Sequence, residues 1–237
     1  MQMYFATINN HDVILKQDDA FHLVKVMRAK INDHIEVVDN NHKAYLAVIE
    51  SINPLVIKVQ EPILKDSELK SEVTIFFGLA KSDKVEFVIQ KATELGAKKV
   101  VLFQGKRSVV KFSIEDFNRK LPRFNSIAKE AAEQCHREYI PSISYIKSIN
   151  DIDNDLCELN LFAYEIEAGK TSTLDELLNG TYKSISIIVG PEGGFDDSEA
   201  TLLLNKGFKA VSLGKRILRC ETAAVYALSV ISYSLEK

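Results

Sequence analysis

The sequence predicts an α/β protein: a mostly parallel sheet covered on both faces, preceded by a small β-rich unit. From residue 73 onward, short Val- and Ile-rich runs alternate with helical patterns over about 165 residues, as strand–helix–strand crossovers require. Before that, residues 1–70 hold three Val- and Ile-rich runs separated by turn chemistry. The polar segment Lys65 to Glu72 marks the boundary, giving domains 1–70 and 73–237. A chain of 237 residues, 46% hydrophobic and 27% charged, is long enough to bury a sizeable core.

In the first unit Ile31 to Val38, Ala44 to Ile52 and Leu55 to Gln60 read as strands. Asp39 to His42 and Asn53-Pro54 are the turns between them. His22 to Ala29 reads as one short helix. A barrel of about five strands at this size is a common RNA-binding accessory.

In the second unit Val73 to Phe77 is a strand. Asp83 with Glu86 is a capping-box pattern, and Val85, Val88, Ile89, Ala92 and Leu95 share one helical face until Gly96 stops it. Lys99 to Phe103 is the next strand. A longer helix carries Phe124, Ala128, Ala131 and Cys135 inward, with Pro141 ending it. Leu159 to Tyr164, Ile185 to Val189 and Ala210 to Leu213 are further strands. Asp196 and Glu199 form a second capping box, and Thr222 to Leu235 is the last helix. Its Val225, Leu228, Ile231 and Leu235, widened by Tyr226 and Tyr233, make an apolar stripe broad enough for a subunit interface.

Composition excludes several classes. Three widely spaced cysteines, Cys135, Cys157 and Cys220, argue against a disulfide framework. No secretory leader or membrane-spanning run is visible, so the expected location is cytoplasmic. Net charge is −3 but unevenly spread. Residues 78–140 hold 13 Lys+Arg against 8 Asp+Glu, and residues 206–237 hold 6 against 2. Such clustering fits a polyanion partner or, equally, solvated helix faces.

Several motifs fail on inspection. Gly169-Lys170-Thr171 lacks the glycine a phosphate-binding P-loop needs five positions before Gly169, where Tyr164 stands. Gly190-x-x-Gly193-Gly194 misses the dinucleotide spacing, which argues against nicotinamide and flavin chemistry. The five histidines lack ligand-pair spacing, so no metal is expected. Cys135 and His136 are helical neighbours pointing about 100° apart, so they cannot be nucleophile and base. Asp151, Asp153 and Asp155 start like a calcium loop without its glycine or closing glutamate.

Two loops remain. Gly190-Pro-Glu-Gly-Gly194 follows one strand, and Gly214 to Thr222, crowded with Arg216, Arg219 and Glu221, follows another. Bare loops at neighbouring strand ends are where α/β proteins hold ligands. Lys106, Arg107 and Lys111 follow a strand end and suit phosphate contacts, as a solvated loop would also look. Gln134 and Arg137 are ligand candidates on the polar side of the long helix, whereas Glu130 and Glu133 read as outer-face charges.

These segments, with His22 to Arg28, Gly78 to Gly96, Arg107 to Lys111, Ala128 to Gln134 and Leu213 to Ala223, resemble the RsmE family of small-subunit ribosomal RNA methyltransferases, in the knotted SPOUT superfamily. The likeness runs along nearly the whole chain. One departure is Met3, where the family commonly has an arginine before an aromatic pair like Tyr4-Phe5, leaving that role vacant or to Arg28. Cys220 stands where relatives often carry a smaller residue.

The resemblance implies a PUA-like RNA-binding barrel followed by a trefoil-knotted domain, in a homodimer packed through the last helix. It implies S-adenosylmethionine held by Tyr164, Gly190, Gly194, Leu213, Gly214, Ile217 and Leu218. The implied reaction is methylation of uracil N3 at a fixed uridine of 16S rRNA in the small subunit. Arg219 would stabilise charge on the base, while Glu221 or Glu192 would accept the proton. Arg28, Lys106, Arg107, Lys111 and Arg137 would contact the RNA. The competing readings are a related enzyme acting on another rRNA or tRNA base, and a non-catalytic RNA-binding assembly factor.

Overall fold

The computed structural model describes residues 1–152, 157–164 and 171–237. Asp153, Asp155, Gly169 and Lys170 lie outside the described residues. The chain divides into two compact units, Met1–Glu68 with Ala132–Tyr139, and Leu69–Ala131 with Ile140–Lys237.

The first unit is a six-stranded sheet built from β1 (Met3–Phe5), β2 (Thr7–Asn9), β3 (Asp12–Ile14), β4 (His34–Val38), β5 (Ala44–Ile52) and β6 (Leu55–Ile63). Their order is β1-β4-β5-β6-β3-β2, antiparallel except where β1 runs beside β4. Tyr4, Ile35, Val37, Ala47, Ile49 and Ile57 fill its core. The Asp39 carboxylate closes the β4–β5 turn by accepting the N–H groups of Asn41 and Lys43 at 2.8 and 2.9 Å.

The helix expected at His22 to Ala29 begins earlier, as α1 (Gln17–Phe21), and continues into a π turn over His22–Val26. Asp18 and Asp19 place acidic side chains in its first turn, where the helix dipole favours them. Arg28, at a left-handed φ of 54°, lies just beyond its end.

Residues 132–139 complete this unit. The Phe5 N–H donates to Glu133 Oε1 at 3.2 Å, and His42 stacks on Tyr139 with ring centroids 4.7 Å apart. Lys65 donates to Glu36, which also meets His136 Nδ1 at 3.0 Å. Arg137 forks onto Glu68, with Nη2 2.6 Å from Oε2 and Nε 3.1 Å from Oε1.

The second unit contains β7 (Glu72–Gly78), α2 (Ser82–Glu94), β8 (Lys99–Phe103), most of α3 (Ile114–Gln134), β9 (Ser142–Ile146), β10 (Leu159–Ala163) and α4 (Leu174–Leu177). It ends with β11 (Ser184–Val189), α5 (Asp197–Asn205), β12 (Lys209–Val211) and α6 (Cys220–Glu236). The six strands are parallel in the order β12-β10-β11-β7-β8-β9.

Both faces of this sheet are buried, which is why its strands read as continuous apolar runs. Val73, Ile75 and Phe77 turn to one face, with Val85 and Ile89 of α2 and Ala224, Leu228 and Ile231 of α6. Phe76, Phe103, Phe162 and Ile188 turn to the other, with Ala200 and Leu203 of α5. The chain runs from β7 outward through β8 and β9, then returns to β10 beyond β11. That reversal puts the loops after β7, β8 and β11 together at the carboxyl ends of the strands, the usual place for a ligand.

Several expectations are corrected. The Asp83–Glu86 capping box does not form: α2 starts after Lys81 without a side-chain cap, and Glu86 pairs with Arg123 at 3.2 Å. The Asp196–Glu199 box does form, at the start of α5. Helix α3 stops at Gln134, so Cys135 lies past its end and half-buried, beside His136 at φ 59°. Leu228 and Ile231 face the protein's own core, which leaves Tyr226 and Tyr233 as the exposed large apolar side chains of α6, at 43% and 64% exposure.

Glu36 offers a test of the first unit. Burial alone would raise its carboxyl pKa, but hydrogen bonds from Lys65 and His136 outweigh burial and hold it below 4.5. A carboxylate depressed in the folded state stabilises above its unfolded pKa and loses that contribution as pH falls through the folded one. Glu36→Gln should therefore cost about 1–3 kcal/mol at neutral pH. In urea unfolding at stepped pH, the gap from the parent protein should close in acid.

Candidate functional site

The second unit holds a cavity of about 510 Å³ at the carboxyl ends of its strands. One wall is the Gly190–Gly194 loop after β11, with Phe195 behind it. Ala163 and Tyr164 close another side from the end of β10. Ile217, Leu218 and Arg219, leading into Cys220 and Ala223 of α6, complete the lining. Lys84 of α2 and Arg107 of the loop after β8 supply cations to the lining.

The Gly190–Gly194 loop is fixed by close backbone approach. A methyl group added at Gly78, the last residue of β7, would sit 2.4 Å from the Pro191 nitrogen. Only a residue without Cβ lets Pro191 settle against the end of that strand. Gly194 has a φ of 69°, a left-handed conformation that glycine adopts without strain.

The loop after β8 is fixed by charge. The buried Glu199 carboxylate accepts the backbone N–H of Lys106 at 2.8 Å while also closing the α5 capping box. The Lys106 ammonium reaches the Ser198 hydroxyl at 2.6 Å, and Arg107 lies 3.6 Å from Asp196. The hydroxyl and N–H of Ser198 hold the Asp196 carboxyl below its usual range, so this acceptor stays ionised.

The carboxylates are gathered by a lysine that nothing in the sequence marks. Lys84 Nζ lies 3.0 Å from Glu192 Oε1 and 3.2 Å from Glu221 Oε2. Burial pushes Glu221 toward protonation, but its own N–H, the Cys220 thiol and Lys84 together hold it below the usual range. Burial first, then Glu221, pushes the Cys220 thiol up to about 11. It therefore stays protonated and can donate to Glu221, 3.3 Å away.

Of the expected site residues, Tyr164, Gly190, Gly194, Glu192, Ile217, Leu218 and Arg219 all line this cavity, and Arg107 joins them. Leu213 and Gly214 do not: Leu213 packs on the core and Gly214, at φ 101°, lies exposed just upstream. Glu221 stands behind the lining, reached through Lys84. Lys106 and Lys111 are exposed in the loop after β8, and Arg28 is exposed in the first unit. Arg137 is corrected. It is 2% exposed and its guanidinium is forked onto Glu68, so its charge is spent inside the first unit and is not presented to a phosphate. Gln134 is exposed at the end of α3, and with the helix stopping there it shares no helical face with Arg137. The residues that sequence reasoning misses are Lys84, Gly78 and Phe195. A lysine early in an amphipathic helix looks like any solvating charge, so no local signal marks the first.

Among the described residues there is no group of three His, Cys, Asp or Glu that could hold a metal ion. Nor is any described helix long and apolar enough to cross a membrane.

A parallel α/β unit with a cavity between a glycine loop and a helix start, joined to a small β-sheet unit, defines a class that comparison identifies. Residues 67–232 match the RNA methyltransferase domain, and residues 15–60 match the RNA methyltransferase PUA domain. The chain belongs to the ribosomal RNA small subunit methyltransferase E family. It is 34% identical to that protein from Bacillus subtilis, covering 100% of this chain and 98% of the relative. A probable rRNA-methyltransferase from Porphyromonas gingivalis superposes with a TM-score of 0.82 at 25% identity, covering 100% of this chain and 99% of that one. The small subunit methyltransferase E from Neisseria gonorrhoeae, solved bound to S-adenosyl methionine, shares the fold with a TM-score of 0.86. That match is 24% identical and covers 98% of this chain and 97% of the other.

Proposed function

We propose that this protein transfers a methyl group from S-adenosylmethionine to N3 of a specific uridine in 16S rRNA of the small ribosomal subunit. The observation that carries this is the cavity of about 510 Å³, walled by the two segments that carry the family likeness. Its size suits a nucleoside-sized ligand, and its glycine loop brings backbone groups to the surface. Tyr164, Gly190, Gly194, Ile217 and Leu218 would hold the cofactor, with Leu213 and Gly214 leading from β12 toward the second wall.

When bound, S-adenosylmethionine supplies an already activated methyl group, so the protein's work is alignment and charge. Uracil N3 must lose a proton, and the resulting charge spreads onto O2 and O4. Arg219 lines the cavity and is exposed within it, suiting it to stabilise that charge. Glu192, the carboxylate in the lining, takes the proton; Glu221 shares Lys84 with it but stands behind the lining, against the Cys220 thiol. A paired uridine hides N3, so the target base is unpaired or extruded.

In the same reading, residues 1–70 form the RNA-gripping PUA-like domain and residues 73–237 the methyltransferase, knotted in the SPOUT manner. Arg28, Lys106, Arg107 and Lys111 contact phosphates. The protein works in the cytoplasm as a homodimer joined through the exposed Tyr226 and Tyr233 face of α6.

Three outcomes test this. Mass spectrometry of 16S rRNA treated with the protein and S-adenosylmethionine should find one N3-methyluridine, and Arg219→Ala should slow its formation about 10²–10³-fold with cofactor binding kept. Transfer to a different base would refute the uracil assignment, and a near-normal single-turnover rate would remove Arg219. Replacing Lys106, Arg107 and Lys111 by alanine should weaken RNA binding and reduce the log–log salt slope by about 0.7–0.9 for each phosphate no longer neutralised. Light scattering at micromolar concentration should give twice the 26.6 kDa chain mass; a fully active monomer would contradict the dimer.

A further inference from the structure

Lys84 belongs to α2 by sequence but acts between two other elements. Its ammonium meets Glu192 in the Gly190–Gly194 loop and Glu221 in the first turn of α6, at 3.0 and 3.2 Å. The three side chains are 21%, 23% and 17% exposed, so water screens them only in part. The buried face of α2 is Val85, Val88, Ile89, Ala92 and Thr93, and Lys84 is no part of it. Its pairing with Glu192 first, then Glu221, outweighs burial and holds its proton more firmly than an ordinary lysine does.

One of the two carboxylates, Glu192, is in the cavity lining, and the other, Glu221, stands just behind it in the first turn of α6. Glu192 is in the glycine loop, while the start of α6 brings Arg219, Cys220 and Ala223 to the same lining. Glu221 is anchored on its own side by the Cys220 thiol, 3.3 Å away. Arg107, the cation entering from the loop after β8, is already engaged with Asp196 at 3.6 Å. Take away Lys84, and two ionised carboxylates that share one cation are left to repel each other across the gap.

We propose that Lys84 is a positioning residue for methyl transfer. By bridging Glu192 and Glu221 it fixes the distance between the glycine loop and the start of α6, and with it the width of the cavity that holds the methyl donor. This rests on reading the cavity as the S-adenosylmethionine site.

The test compares Lys84→Met, Lys84→Arg and the double variant Lys84→Met/Glu221→Gln in the full-length protein. Calorimetry with S-adenosylmethionine and methyl transfer to 16S rRNA are the readouts, with thermal melts to confirm folding. Lys84→Met should weaken cofactor binding on the order of tenfold. Lys84→Arg should recover most of it. The double variant should recover too, because one carboxylate of the repelling pair is now neutral; a lysine that merely filled space would give no such rescue. Parent-like affinity and turnover in Lys84→Met, or a double variant no better than Lys84→Met, would overturn the positioning role while the cofactor reading stands. A parent protein that binds no S-adenosylmethionine overturns both. If Lys84→Met does not fold, the other two variants carry the comparison, and loss of binding in both rejects the proposal.

Discussion

Backbone crowding at the end of β7 is the constraint from which the rest of the cavity follows. Pro191 lies against Gly78 so closely that a single methyl group would come within 2.4 Å of its nitrogen. Seating Pro191 there brings the Gly190–Gly194 loop in against the strand ends and turns Glu192 toward α2 and α6. The cavity wall is therefore, at this contact, backbone held by backbone. Protein interiors are packed too densely to absorb even one added carbon at such a contact without a shift.

Charge then finishes what packing begins, through two acidic side chains that each act twice. Glu199 closes the cap of α5 and also receives the Lys106 N–H, which ties the loop after β8 to the helix after β11. Glu221 opens α6, where a carboxylate suits the positive end of the helix, and also meets Lys84. Neither loop is left to be ordered by ligand alone. A site whose groups are already held loses less freedom when it binds.

Much of this is legible in the sequence, and the exceptions have physical causes. Strands such as Lys99–Phe103 are readable because a sheet buried on both faces needs unbroken apolar runs. β1, β2 and β3 have three residues each, too few for alternation to show. Asp83–Glu86 and Asp196–Glu199 have the same spacing, yet only the second caps a helix, because α2 already begins at Ser82 and so holds Asp83 inside its first turn, whereas Asp196 stands at the N-cap of α5. In the site, glycines and arginines stand out because they interrupt a pattern. Lys84 fits its helical pattern and so stays hidden. Arg137 misleads for the converse reason: its charge is visible, but its partner Glu68 lies 69 residues away.

The first unit is discontinuous along the chain, and this bears on the order of events during synthesis. Residues 1–68 leave the ribosome well before residues 132–139, which complete the unit. Until then Glu36 is without His136, Glu68 without Arg137, and the Phe5 N–H without Glu133. The amino-terminal stretch thus emerges first but closes late, after most of α3 has been made. A fragment cut at residue 68 would carry every strand of the first sheet and still lack the partners that Glu133, His136 and Arg137 supply to it.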